Sequence, residues 1–405
     1  MAQLGQLLSY TNGTLTVDTK ALTLSATKTY DGTSSLTDAV TLGGYVGSET
    51  LTYTGATAND AHVATAGKYI SAITLANGAN GGVTGNYALP ALNNANAPVT
   101  ITAKALTSTA VIGGTLTKTY SGTTAATGAT LSGSVDGAVA GDTLTLDTSA
   151  VTLAYNTAHV VDASKIEASG AAGFTIGAST ANSVASDYSF AGPTIAAATA
   201  SITPATLTAS LSNTGITKTY DGNPNTPTGF APTWSLGGLV SGDTTATLAS
   251  TGAAYDSKDV VSATKVTVSG LSISSITGNK SSAATDYVLD ATSKDVAATI
   301  TAKALTLSAT KTYDGTSSLT DAVTLGGYVG SETLTYTGAA ASDAHVATAG
   351  KYISAITLAA GANGGVSSNY ALPTLNNANA PVTISAATLT PTVTNTGVTL
   401  SLIHI

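Results

Sequence analysis

The sequence predicts an all-β protein: a tandem array of small β-sandwich-like units forming an elongated rod. Three observations carry this reading. A pentapeptide recurs four times, each copy followed by a second marker; apolar residues alternate with hydroxylated ones at period two; and no long segment shows a helical stripe with caps. A β-grasp-like unit with one short helix is the alternative arrangement of the same strands.

The pentapeptide is Lys28-Thr29-Tyr30-Asp31-Gly32. It returns as Lys118-Thr119-Tyr120-Ser121-Gly122, Lys218-Thr219-Tyr220-Asp221-Gly222 and Lys311-Thr312-Tyr313-Asp314-Gly315. The second marker is Asn86-Tyr87-Ala88-Leu89, then Asp187-Tyr188-Ser189-Phe190, Asp286-Tyr287-Val288-Leu289 and Asn369-Tyr370-Ala371-Leu372. A run such as Val99-Thr100-Ile101-Thr102-Ala103 closes each unit. The repeats so defined are 20–103, 104–204, 205–302 and 303–386. Residues 1–19 read as the tail of a preceding repeat and 387–405 as the truncated start of a fifth. Asn395 to Thr399 match Asn213 to Thr217, but Leu400 to Ile405 stand where the pentapeptide is due. The expectation is a chain open at both ends.

Within a unit the first strand is Ala21 to Thr27, where Leu22, Leu24 and Ala26 alternate with Thr and Ser. Such alternation puts one face in the core and one in water. Glu49 to Tyr53, Ala72 to Leu75 and Lys265 to Val268 follow the same pattern, and their Thr, Val, Ile and Tyr suit a pleated surface. Gly43-Gly44 and Asn77 to Gly82 punctuate the runs as turns. The alanine-rich piece Ile195 to Ala200 is too short to override its strand neighbours.

The joints have no Pro/Gly/Ser linker: Val99 to Thr107 pass from the last strand of one unit to the first of the next. Short β-prone joints restrict the angle between neighbours, so a semi-rigid rod is expected. Units of this length measure roughly 30–35 Å across, and four end to end span about 130 Å. Repeats one and four differ at seven of 84 positions, among them Asn59/Ser342, Gly85/Ser368 and Ala91/Thr374. Separating near-copies limits strand exchange during folding.

Composition excludes several functions. The 405 residues carry a net charge of −8, and all 14 basic residues are lysine. Without the arginine fork and with a negative field, nucleic-acid binding is not expected. No apolar run approaches the roughly 20 residues of a spanning helix, so no membrane insertion by this segment is expected. Zero cysteines exclude disulfides and thiolate metal sites; the stretch after Met1 does not read as a signal peptide, so any export signal is expected outside this chain.

Lys-x-Tyr-Asp-Gly, then Gly141-Asp142-Thr143 or Gly242-Asp243-Thr244, then Asn/Asp-Tyr and a closing strand resemble the YDG-type repeats of bacterial exoproteins. Such repeats occur in filamentous haemagglutinin-like adhesins exported by a two-partner route. The resemblance runs from Lys20 to about Thr399. It departs at Ser121 and at Gly47-Ser48-Glu49, which read as positions that no repeat-wide ligand uses. It implies a secreted or cell-surface stalk, with no enzyme activity, no cofactor and an unspecified host or bacterial surface ligand. The alternative is that the repeats themselves bind glycan or self-associate through exposed sheet edges.

The residues themselves favour structural roles. In each pentapeptide Asp or Ser caps a turn, Gly supplies positive φ and Tyr covers the core edge. His62, His159 and His345 share one position with Asp259, which reads as an exposed turn or strand edge and not a catalytic imidazole. The acidic residues Asp136, Asp142 and Asp147 lack the spacing of a calcium loop. Gly78 to Gly85 lack the Lys-Ser/Thr and helix of a phosphate loop. Trp234, the lone tryptophan, reads as a packing residue before a sugar platform.

Overall fold

The computed structural model describes residues 8–11, 13–394 and 397; Leu400 to Ile405 lie outside them. The chain divides into two compact units, Met1–Thr203 and Pro204–Ile405. Every regular element is a strand or a single 3-10 turn, with no α-helix among the described residues.

In the first unit β1 (Leu8–Thr11) and β2 (Thr14–Val17) form an antiparallel hairpin. The first repeat then contains β3 (Lys20–Ala21), β4 (Thr23–Thr29), β5 (Val40–Gly43), β6 (Leu51–Ala58), β7 (Ile70–Asn77), a 3-10 turn (Thr84–Asn86), β8 (Tyr87–Ala88) and β9 (Val99–Thr102). Leu24 and Ala26 of β4 are buried and their neighbours exposed, as period two requires. β4 pairs antiparallel with β5 and parallel with β9, where Ala26 faces Val99 and Lys28 faces Ile101. β3 pairs parallel with β8, and Leu22 between β3 and β4 still donates its N–H to Ala88 O at 3.0 Å. The first strand thus breaks at Leu22 because it changes parallel partner there. β6 and β7 form a hairpin whose register shifts between Thr54 and Thr57, with Gly55 at φ +60°. Glu49 lies before β6, in the turn.

The first and last strands of a repeat are therefore parallel neighbours. The short helix of the grasp-like alternative has no α-helical counterpart among the described residues; the repeat has one 3-10 turn, Thr84–Asn86. The second repeat pairs Thr117–Thr119 parallel with Ser201–Thr203, and Ala198–Thr199 is a strand. Its long hairpin splits into Asp142–Asp147 with Gly173–Ser179 and Thr152–Tyr155 with Lys165–Ser169.

The second unit repeats the plan. Ile216–Thr219 pairs parallel with Ser293–Thr301, which continues through Lys265–Ser269 to Gly252–Tyr255. In the fourth repeat Thr306–Thr312 lies between Val323–Gly326, antiparallel, and Val382–Ser385, parallel. Within each unit one apolar cluster crosses from repeat to repeat. Tyr30, Leu36 and Ile101 join Val139 and Tyr188; Tyr220 and Ile300 join Leu305, Leu334 and Tyr370.

Candidate functional site

The pentapeptide turn is built around its lysine. β4 delivers the Lys28 amino group to Asp31 Oδ1 at 2.6 Å, Thr33 O at 2.9 Å and Ser35 O at 2.8 Å. Asp31 also accepts the Thr33 N–H at 2.9 Å, and Gly32 between them sits at φ +82°, a conformation costly for any side chain. Burial pushes the Asp31 carboxyl up, but the Lys28 and Thr33 hydrogen bonds outweigh it and the carboxyl lies below its ordinary value. In the fourth repeat the hydrogen bonds from Lys311 and Thr316 hold Asp314 at about 2. In the second repeat Lys118 finds only the Ser121 hydroxyl at 3.2 Å, with the carbonyls of Thr123 and Ala125. Desolvation then lowers its amino group, which has no carboxylate in this turn.

The tyrosine of the turn leaves its own repeat. Tyr30 is 1% exposed, its hydroxyl shares a 2.6 Å hydrogen bond with Ser183 of the second repeat, and its ring meets Tyr188 edge-on at 5.8 Å. Tyr220, 2% exposed, donates to Glu332 Oε1 of the fourth repeat at 2.7 Å and meets Tyr370 at 5.5 Å. Tyr120 is likewise buried, whereas Tyr313 is 37% exposed. The glycines share the joint. A Cβ on Gly32 would stand 3.0 Å from Ala181, and one on Gly222 2.9 Å from Val329, while one on Gly315 would meet nothing. Gly122, at φ +68°, completes the set.

The tyrosine of the second marker holds the receiving face. Tyr188 donates to Asp142 at 2.5 Å, Tyr287 to Asp243 at 2.5 Å, Tyr87 to Glu49 at 2.6 Å and Tyr370 to Glu332 at 2.7 Å. Each hydroxyl also accepts a backbone N–H, from Val139, Val240, Val46 and Val329 respectively. The expectation that Gly47-Ser48-Glu49 departs from the pattern is corrected here. Counted from the valine, Glu49 and Glu332 occupy the place of Asp142 and Asp243, so every repeat keeps a carboxylate three residues on. The spacing Val-x-x-Asp/Glu was the signal, hidden by aligning on glycine. Burial, with Glu332 adding to it, pushes the Tyr370 hydroxyl up to about 12.

The histidine position is a second contact, and the expectation of an exposed turn is corrected for two repeats. His62 Nδ1 lies 2.8 Å from Asp187 Oδ2, and the Val63 N–H donates to Asp187 Oδ1 at 2.8 Å. Asp187 is fully buried and accepts Val184 N–H as well. Burial raises its carboxyl, but the hydrogen bonds from Val184, His62 and Val63 bring it below its ordinary value. In the second unit the Val260 N–H donates to Asn369 Oδ1 at 2.9 Å, and Asn369 Nδ2 donates to Asp259 at 2.7 Å. Buried Lys68 shapes the His62 loop by donating to Val63 O and Thr65 O. His345 is exposed.

The other candidates do not converge. Asp142 is committed to Tyr188 and Ser179, and Asp147 to the Ser149 N–H. Among the described residues no group of three or more His, Asp or Glu forms a metal cluster. Gly78 and Gly82 allow close backbone approach, since a Cβ on either would stand about 2 Å from Thr50 O. Trp234 is half-buried on an edge strand opposite Leu211. A concavity of about 530 Å³ lies beside β6, lined in part by Leu42, Tyr45, Tyr53 and Ala56, and a related one of about 430 Å³ recurs around Tyr336.

These features define an all-β protein of repeated sequence in which Tyr30 and Tyr220 are buried against the following repeat of the same unit. The YDG domain family matches residues 203–294, a stretch that contains Tyr220, Asp221, Gly222 and the Asp286-Tyr287 marker. The chain thus carries a YDG-type domain. No curated protein and no solved structure matches it.

Proposed function

We propose that the chain is a non-enzymatic structural stalk segment of a secreted or cell-surface bacterial adhesin, projecting a binding region for attachment, aggregation or biofilm. The observation that carries this is the joint: a buried tyrosine and a backbone N–H lock one repeat onto the next without an intervening linker. Contacts of that kind resist bending, and resistance to bending is what a projecting element needs. The YDG-type region and its likeness to exoprotein repeats support an extracellular, cell-associated setting.

Small-angle scattering on the full chain tests the reading. A rod of four repeats has a longest dimension of about 130 Å, and a single compact globule of this length one of about 60 Å. The longer value is expected; the shorter overturns the stalk. A second reading, that repeats one and four bind glycan, is favoured by the recurring tyrosine-lined concavity. A glycan array probed with the full chain decides it, with saturable binding lost in Tyr53→Ala as the supporting result.

A further inference from the structure

The two described joints use the same positions with different chemistry. Between the first and second repeats a buried carboxylate, Asp187, faces the His62 ring nitrogen and the Val63 N–H. Between the third and fourth an amide, Asn369, takes the Val260 N–H on its oxygen and gives its NH₂ to Asp259. Lys258 pairs with that Asp259 at 2.8 Å and lies over the Tyr220 ring at 5.9 Å. Mixing the two sets changes which group must donate. An Asp259-type loop on an Asp187-type face brings two carboxylates together, one of them buried, with no proton donor between them. A His62-type ring on an Asn has to present its unprotonated nitrogen to the NH₂, the opposite role from the one that donates to a carboxylate.

The tyrosine contact changes with it. Where the marker opens with Asp, as in the second and third repeats, Ser183 or Ser282 stands four residues before it. Where it opens with Asn, glycine stands there, as Gly82 or Gly365. Tyr30 accordingly meets Ser183, and Tyr220 meets Glu332. Within each unit the succession keeps the pairing: His62 is followed by Asp187, and Asp259 by Asn369.

We propose that this pair is a matching rule deciding which repeat seats on which. By the same rule, the face of the fourth repeat that carries Tyr313, His345 and Val346 is a docking surface for a further repeat module whose second marker opens with Asp. The occupant follows from the first repeat, which is identical at these three positions and has that face covered by an Asp-type module. The surface is already formed: Tyr313 stacks on His345 at 6.5 Å, as Tyr30 does on His62 at 6.3 Å, yet Tyr313 is 37% and Val346 41% exposed. The rule stands independently of the adhesin reading, because it concerns only contacts within the array.

Amide hydrogen exchange at Val63 in the full chain tests the rule. His62→Asp alone is expected to speed exchange about tenfold, the size of a lost local coupling. Ala61→Lys/His62→Asp/Asp187→Asn, which transplants the other joint, is expected to return it to within about threefold of the parent. Exchange in the triple variant as fast as the product of the separate effects overturns the rule. The surface is tested by a chain in which a copy of residues 104–204 follows Ala386. Slower exchange at Val346, lost when the copied Asp187 is Asn, supports it. Unchanged exchange at Val346, or slowing that survives the Asn, overturns it.

Discussion

Tyr220 and Tyr313 occupy the same place in the pentapeptide, yet one is buried under the next repeat and the other is not. Tyr220→Ala removes a buried ring and its bond to Glu332, and a cost of about 3–5 kcal/mol is expected from chemical unfolding of the full chain. Tyr313→Ala is expected to cost about 1 kcal/mol or less, since little packing is lost. Equal costs would mean that the ring acts within its own repeat. At the same scale, Ser121→Asp gives Lys118 the carboxylate that Lys28 and Lys218 already have, at 2.6 and 2.7 Å. A gain of up to about 1 kcal/mol is expected, read as a higher melting temperature. The lysine was legible in the sequence as part of a motif; its two carbonyl acceptors in the following turn were not, because backbone oxygens leave no residue signature.

At the scale of the element, the turn glycines separate two costs that usually come together. Gly222 and Gly315 both sit at φ +81°, so alanine strains the backbone equally, by about 1–2 kcal/mol. Only at Gly222 does the added methyl also strike a neighbour, Val329. Gly222→Ala is therefore expected to destabilise by about 1–3 kcal/mol more than Gly315→Ala, measured by repeat-resolved hydrogen exchange. Parity would show that the glycine serves its turn alone. The strands themselves were readable from alternation, because period-two burial writes itself into residue order. Their partners were not: the parallel pairing of β4 with β9 joins residues over seventy positions apart, and alternation is blind to which strand lies alongside.

For the whole molecule, the groups at the joints and on the faces behind them contribute to the pH range of stability alongside the turn carboxylates. Asp142 and Asp187 bind protons less readily in the folded chain than in the unfolded one; hydrogen bonds outweigh the desolvation that opposes them. Their contribution is complete above the ordinary carboxyl value of about 4 and is lost as pH falls below it. Tyr370 has the opposite sign, with a folded value of about 12 against 10.0. Its neutral hydroxyl stabilises the fold fully below pH 10, and that contribution is lost as pH rises from 10 to about 12. Thermal melts across pH are expected to give a broad plateau that falls on both sides. Asp187→Asn should blunt the acid limb, and an acid limb unchanged by it would place the titration elsewhere.

Residue order by itself determined the all-β class, the strand alternation and the recurrence of tyrosine, aspartate and glycine in one turn. Those are local matters of side-chain shape and spacing. Only the tertiary structure decided that Tyr30 belongs to the next repeat and that His62 and Asp187 are one contact. The reason is that a joint is made by two segments over a hundred residues apart, and complementarity between them appears only once folding has brought a donor to its acceptor.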